Sequence, residues 1–331
     1  MKEVVIFGGA GYIGSHVVKE FLKGENYHIT IADDFSTGRL ENFKNLKGNF
    51  DIVTMDISYK DEFSKLTVNP DIVVDLAACK HVDESMKPDY IHRYADVNVT
   101  GTVNILNWIT EFEESNPQDK VFIFSSSAAT FGNVTGMINS FTEQNPCNFY
   151  GWSKYYTEQI SKWYNKVTGL NVVCLRYFNA AGYDEDGDIG GIEIGAQNLI
   201  PVIVETALGK RPEMSVFGTD WNTRDGTCIR DYIHVTDLAR AHVMAASLKG
   251  WYGINLGTGK GTTVKEAVSA VRNYVGYNFK VKYTDRRIGD PEALTTDYQY
   301  AESLMNWKPL HSSIENIVKT TIKQYKRYFN I

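Results

Sequence analysis

Through the first half of the chain, short runs of continuous apolar residues alternate with longer segments whose apolar positions recur every three or four residues. The runs at 4–7, 28–32, 50–54, 72–76, 121–125 and 172–176 have strand length and are rich in β-branched and aromatic side chains. Between them, 15–23 and 99–111 carry helical spacing. Strands that are apolar on both faces and separated by helices predict a parallel sheet covered on both sides. The expected fold class is therefore α/β, doubly wound. The second half is less regular. It predicts a glycine- and acid-rich loop over 183–195, helices over 198–208, 264–275 and 312–328, and strands at 229–235, 252–255 and 279–283. The pattern divides into 1–178 and a smaller, mixed α/β, discontinuous unit over 179–331, with segments near 229–259 able to return to the first sheet.

Composition narrows the class of protein. Over 331 residues, 43% are hydrophobic and 22% charged, which suits a globular chain with a large core. Lys+Arg 34 against Asp+Glu 40 leaves a net charge of -6, so no broad positive field invites a nucleic-acid partner. No run approaches the roughly 18 apolar residues of a membrane span. The amino end passes from Met1-Lys2-Glu3 into a strand and glycines, with no signal-peptide pattern. Cys79, Cys147, Cys174 and Cys228 are scattered without a CxxC pair and read as reduced thiols, so a cytoplasmic enzyme is expected.

Candidate chemistry begins directly after the first strand. Gly8-Gly9-Ala10-Gly11-Tyr12-Ile13-Gly14 opens a helix and reads as G-x-G-x-x-G from Gly9. Such a turn brings backbone amides to a pyrophosphate at the positive end of the helix. An ordinary strand-to-helix turn would also use glycine, but here Asp33 stands 19 residues beyond Gly14, at the end of the second strand. A carboxylate there accepts from the adenosine ribose hydroxyls and repels a 2′-phosphate, which favours NAD over NADP and a Rossmann-type sheet.

Tyr150 and Lys154 form a Y-x-x-x-K pair that shares a helix face. A neighbouring ammonium favours phenolate, and a phenolate can take a proton from a sugar hydroxyl as its carbon gives up hydride. The strand at 121–125 runs into Ser125-Ser126-Ser127, where doubly wound sheets bind ligands. Taken singly, the serines could be a solvated loop and the pair an exposed helix surface. Together with the glycine turn they resemble the extended short-chain dehydrogenases/reductases.

Longer stretches sharpen that resemblance. GGAGYIGSH (8–16), FSSSAATFG (124–132), YGWSK (150–154), RYFNAAG (176–182), DGTCIRDYIHVTDLA (225–239), NLGTG (255–259) and RRIGDP (286–291) follow the order and spacing of UDP-glucose 4-epimerases. The resemblance implies that Ser127, Tyr150 and Lys154 form the catalytic group. Tyr150 would take the proton of the sugar 4-hydroxyl with Ser127 assisting, and Lys154 would bond the nicotinamide ribose. Hydride would pass reversibly to tightly held NAD through a 4-ketopyranose, which rotates about its diphosphate link. Cofactor contacts would fall on Gly8, Gly11, Tyr12, Ile13 and Gly14, on Asp33, Asp34, Ser36, Thr37 and Gly38, and on Asp56 and Ile57. Leu76, Ala77, Ala78 and Lys80, with Asn98 and Phe178, would complete the shell, leaving Cys79 as backbone lining rather than a nucleophile. Substrate contacts would fall on Asn179, Asn198, Ser215, Val216, Phe217, Arg230, Arg287, Asp290 and Leu294. The two arginines suit a diphosphate through bidentate hydrogen bonds. A homodimer joined through 91–111 and 153–167 is also implied, the second segment carrying Tyr156, Ile160, Trp163 and Val167 as a stripe. That stripe could face a partner or its own core.

The chain departs from the pattern in two places. Phe131 stands where the serine motif usually has tyrosine, and Leu294 stands where enzymes restricted to UDP-glucose and UDP-galactose often carry tyrosine. Leu294 leaves a UDP-N-acetylglucosamine 4-epimerase, or a dual-specificity one, as the alternative. A 4,6-dehydratase is disfavoured, because Ala128-Ala129 follow Ser127 where dehydratases carry an acidic pair. A silent NAD-binding scaffold is disfavoured by the intact tyrosine and lysine. Asp184-x-Asp186-x-Asp188 imitates a calcium loop but lacks its glycine and glutamate, so a solvated flexible loop is expected. No metal is expected, since His234 and His242 lack ligand spacing, and His81 and His92 read as surface or interface residues.

Overall fold

The computed structural model describes residues 1–111, 116–287 and 290–331; Ile288 and Gly289 of the 286–291 motif lie outside the described residues. Seven strands form one sheet: β1 (Lys2–Phe7), β2 (Tyr27–Asp33), β3 (Phe50–Thr54), β4 (Ile72–Asp75), β5 (Val121–Ser127), β6 (Asn171–Tyr177) and β7 (Trp251–Leu256). Their spatial order is β7-β6-β5-β4-β1-β2-β3, and every neighbouring pair is parallel. The chain winds outward from β1 to β3 and then restarts at β4 on the other side. That reversal opens a crevice at the carboxyl ends of β1 and β4, where such sheets bind ligands. All six apolar runs became strands, and the run at 252–255 returns to the same sheet as β7.

The longer helices are α1 (Tyr12–Leu22), α2 (Thr102–Glu111), α3 (Phe149–Thr168), α4 (Leu199–Ala207), α5 (Val235–Ala245), α6 (Val264–Val275) and α7 (Ile314–Phe329). Alternate residues of each strand face opposite layers. Val4, Ile6, Ile29, Ile31 and Ile123 pack with Val17, Val18 and Phe21 of α1 and Leu238 of α5. Val5, Phe7, Val73, Phe122 and Phe124 pack with Ile105, Leu106 and Ile109 of α2. A second core joins Ile203 and Val204 of α4, Val268 and Val271 of α6, and Ile317, Ile322 and Tyr325 of α7. The aromatic carboxyl end is therefore packing: Trp307 and Tyr325 are both fully buried.

Two expectations change. The apolar run at 229–235 is not one strand but Ile229–Arg230 and Tyr232–His234, with α5 starting at Val235. The His234 ring accepts the Thr236 amide at 3.1 Å and so caps α5, a role that needs a buried neutral imidazole, and burial lowers its pKa to about 3. His242 is also buried, with Nδ1 against the Leu238 carbonyl at 2.8 Å. The 183–195 segment is irregular, as expected, but it is not a free solvated loop. Asp184, Asp186 and Asp188 converge on the Lys19 ammonium of α1 at 2.6, 2.8 and 2.9 Å. The cation site that the acidic spacing imitates is filled by the chain's own lysine. Lys19→Met leaves the three carboxylates facing one another. Hydrogen exchange at the Asp188 amide, which donates to Asp184 at 2.7 Å, is expected to speed up roughly 10–100-fold, since hydrogen bonds to charged groups contribute about 1.5–3 kcal/mol. Unchanged exchange would remove Lys19 as the anchor of this segment.

The direction of the stripe on α3 is also settled. Trp152, Tyr156, Trp163 and Val167 are exposed, with Val167 at 76%, while Ile160 turns inward against the sheet. Met86, Tyr90 and Ile91 are exposed apolar residues of the preceding helical segments.

Candidate active site

The glycine turn is built by close approach. Gly8 adopts φ +71°, and a Cβ there would lie 2.6 Å from the Ala77 nitrogen, so the turn after β1 and the turn after β4 touch backbone to backbone. Only glycine permits that contact. Helix α1 then starts at Tyr12 with Gly11 as N-cap, no side-chain cap and no acidic residue in its first turn. Its first amides, from Tyr12 through Gly14, are left to an outside acceptor, and the helix dipole favours an anion. This cradle fits a pyrophosphate.

Asp33 ends β2, as expected, and does more than wait for a ribose. Its two oxygens accept the Ala10 and Phe35 amides at 2.8 and 2.9 Å, which fixes the glycine turn against β2. Gly38 lies against it, and burial raises its pKa. Each carboxylate oxygen keeps a second lone pair for a ribose hydroxyl. Asp34 accepts the Ser36 amide and hydroxyl at 2.9 and 2.7 Å, shaping the loop that carries Thr37. Asp56 does the same for Ser58, beside buried Ile57. Tyr12, Ser36, Thr37 and Lys80 line one cleft, together with Asn42, His81 and Glu193. His81, half-buried, lines the same surface cleft. Lys80 pairs with Glu193, so the acid-rich segment lies across this cleft.

Among the residues expected to contact the cofactor, Asn98 has the most defined contacts. It lies in a π-helical stretch, Ala95–Gly101, a distortion that often marks functional sites. Its amide accepts the Cys79 N–H at 2.8 Å and donates to the Cys79 carbonyl at 2.9 Å and to Ser153 Oγ at 3.0 Å. One side chain thereby ties the turn after β4, Leu76 through Lys80, to helix α3. Burial raises the Cys79 thiol, which suits lining rather than nucleophilic attack.

Helix α3 begins at Phe149, capped by Asn148, whose oxygen accepts the Gly151 amide at 2.8 Å. A Cβ on Gly151 would lie 2.4 Å from the Ala129 carbonyl, so the helix start presses on the turn that follows Ser127. That contact sets Tyr150 beside Ser127. The serine is not in a loop, because β5 extends through it and Ser125 and Ser126 are buried. Ser127 Oγ accepts the Ala129 amide at 3.1 Å and lies close enough to the Tyr150 phenol to act on its ionisation. Lys154, one turn on, is buried with its ammonium 4.7 Å from the centre of the Phe124 ring. Burial is the larger influence on Tyr150 and raises its phenol, while nearby Ser127 lowers it. Burial also lowers Lys154 to about 8. The expected lowering of the phenol by the neighbouring ammonium is therefore not what dominates here: burial raises Tyr150, and Lys154 is itself held down by burial.

The substrate candidates form a connected series. Arg287 stacks on Phe217 at 4.4 Å, next to buried Val216 and half-buried Ser215 on the strand Met214–Phe217. The Asp290 amide donates to the Arg287 carbonyl at 3.3 Å, and the Asp290 carboxylate faces Arg230 at 3.5 Å. Arg230 is the strand neighbour of Leu294, and Leu294 packs with Phe178, Ala128 and Phe131. The series runs from an exposed aromatic–arginine stack to the residues that follow Ser127. Asn179 donates to the Asp231 carbonyl at 2.8 Å, and Asn198 stands exposed at the start of α4. Phe131 is buried beneath the Arg176 guanidinium, 5.6 Å away, which accounts for an apolar ring at that position.

The sequence reading missed a buried ion pair. Arg176 of β6 donates to both oxygens of Glu158 on α3, at 2.9 and 3.1 Å from Nε and 2.6 Å from a terminal nitrogen. Ser126 donates to the same carboxylate. Glu158 follows Lys154 by one helical turn on the same face, a spacing that could have revealed it.

Comparison with known proteins agrees with this geometry. Residues 5–321 match the family described as GDP-mannose 4,6 dehydratase. The UDP-glucose 4-epimerase of Halalkalibacterium halodurans is 35% identical over 98% of this chain and 96% of its own length. The chain belongs to the UDP-glucose 4-epimerase family. Among solved structures, the UDP-glucose 4-epimerase from Brucella ovis in complex with NAD is 36% identical, with a TM-score of 0.88 over 98% of both chains. The UDP-glucose 4-epimerase from Bifidobacterium longum in complex with NAD+ and UDP is 29% identical, with a TM-score of 0.89 over 99% of both chains. The two alanines after Ser127 both lie in the tight turn Ala128–Phe131.

Proposed function

We propose that the protein interconverts UDP-glucose and UDP-galactose as an NAD-dependent 4-epimerase. The observation that carries this reading is the placement of Tyr150 near Ser127 at the carboxyl end of β5, with the Lys154 ammonium over Phe124 of the same strand and Leu294 packed against the turn that follows. NAD supplies a reversible hydride acceptor when held on the α1 amides, Asp33 and the turn after β4. Tyr150 takes the proton of the sugar 4-hydroxyl and returns it to the same oxygen after the ring has presented the opposite face of C4. Ser127 shares that proton's hydrogen bond and stabilises charge on the sugar oxygen. Lys154 holds the ribose side and places a positive charge near the phenol. Arg230 and Arg287 grip the diphosphate, Phe217 covers the uracil, and the sugar turns about its phosphate link between the two hydride transfers. Residues 1–178 and the returning β7 form the NAD half, and the remainder forms the UDP-sugar half. The exposed aromatic face of α3 joins two copies, and the homodimer works in the cytoplasm.

The test is proton NMR of the anomeric region, with purified protein, no added NAD, and UDP-galactose and UDP-N-acetylgalactosamine supplied together. UDP-glucose as the dominant product is expected. No product from either, even after NAD is added, would overturn the reading. Leu294 sets the balance between the two substrates. Leu294→Ala should raise the relative kcat/KM for the N-acetylated sugar about 10-fold or more, because a few methylenes in a pocket wall are worth about 1–3 kcal/mol. An unchanged ratio would place Leu294 away from the 2-substituent.

A further inference from the structure

Lys154 needs a positive charge for its work, yet its surroundings oppose one. Four groups bear on it from the packed elements: Asp75 at the end of β4, Cys79 in the turn that follows, Glu158 on its own helix, and Cys174 on β6. The thiols of Cys79 and Cys174 are both raised by burial and stay neutral. Glu158 is already engaged by Arg176 on both oxygens. Asp75 remains. It is almost fully buried, and among the described residues it has no cation at ion-pair distance. Among the described residues its oxygens accept only neutral donors, Thr102 Oγ1 at 2.7 Å and the Ala77 amide at 3.2 Å.

The sheet register explains its position. Asp75 is the direct neighbour of Phe124 on β5 and of Phe7 on β1. Side chains of register neighbours in a parallel sheet leave the same face. The ring that the Lys154 ammonium sits over is that of Phe124. Asp75 therefore stands beside the lysine's aromatic platform, at the crevice end of the strand. Thr102, which holds Asp75, also donates to the Asn98 carbonyl at 3.1 Å, and Asn98 reaches Ser153, the residue before Lys154. The carboxylate and the catalytic helix are thus fixed by one network.

We propose that Asp75 is a positioning residue for the epimerase reaction, the counter-charge that keeps Lys154 an ammonium in a buried site. The proposal rests on the assignment of Lys154 to the catalytic group. It explains why an acid is tolerated at the end of an otherwise apolar central strand. It also sets a pH window. Burial raises Asp75 to about 6 and lowers Lys154 to about 8, so between those values both groups are charged. Below the window the carboxylate is protonated, and above it the ammonium is lost.

The experiment is the pH profile of kcat for UDP-galactose epimerisation by the holoenzyme, compared for wild type, Asp75→Asn and Thr102→Val. Asp75→Asn keeps the shape and removes the charge. Its alkaline limb should move about one pH unit lower, a roughly tenfold loss of rate on that limb, with KM changed less than twofold. Thr102→Val removes a hydrogen bond that favours the charged carboxylate, so its acid limb should move upward. An alkaline limb of Asp75→Asn that superimposes on wild type would overturn the proposal. A second readout needs neither the variant nor turnover. In wild type labelled with carbon-13 at lysine Cε, the Lys154 resonance should show a small step near pH 6 as Asp75 ionises, before its own titration. Absence of that step would also overturn the proposal. A failure of the epimerase reading would be seen separately, as no sugar product from wild type with the Lys154 titration intact.

Discussion

Tyr150→Phe is expected to lower kcat about 10²–10⁴-fold, the range that a positioned acid–base group contributes. NAD retention and KM should change little. The phenol oxygen is the only atom removed, and the ring keeps its place because Gly151 lies against Ala129 and Asn148 caps the helix. The loss should be larger than for Ser127→Ala, since the serine hydroxyl modulates the proton and Tyr150 carries it. Steady-state kinetics on the cofactor-loaded variant decides the matter. A rate within tenfold of wild type would remove Tyr150 as the proton carrier.

The second large effect falls on stability. Arg176→Met should destabilise the fold by about 3–5 kcal/mol, because it strands the Glu158 carboxylate in a buried site without its cation. Arg176 is 4% exposed and Glu158 fully buried, so solvent cannot take over the guanidinium's role. Arg176 also donates to the Ser140 carbonyl at 3.1 Å and to Gln144 at 3.1 Å, and those partners are lost with it. The double change Arg176→Met with Glu158→Gln should recover much of the loss, since a neutral amide is cheaper to bury than a lone charge. Urea unfolding of the two variants and wild type measures this. Equal stability of the single and double variants would mean that the charge of Glu158 is not the source of the cost.

The central sheet was legible because parallel strands are buried on both faces and read as continuous apolar runs. The one long misreading, 229–235, has the same origin. Tyr232-Ile233-His234-Val235 is apolar enough for a strand, but the helix starts inside it with a histidine as its cap, a residue outside the usual capping set. The glycine turn, Asp33 and the tyrosine–lysine pair could be read locally, because each depends on spacing within one strand–turn–helix or one helix. The series from Phe217 through Arg230 to Leu294 could not. It exists only because segments distant in sequence pair side by side, and there the resemblance to epimerases supplied the residues. Asp75 left no trace in the sequence, since an acid after Ile72-Val73-Val74 reads as the end of a strand. Its neighbours across the sheet give it meaning.

The most direct test of the account follows the hydrogen at sugar C4. UDP-galactose carrying deuterium at C4 is incubated in ordinary water with the protein as purified, and the UDP-glucose formed is examined by NMR and mass spectrometry. Hydride transfer within a closed site predicts that the product keeps its deuterium at C4, with no label in water. Loss of the label to solvent, or product unlabelled at C4, would contradict reversible hydride transfer as the route.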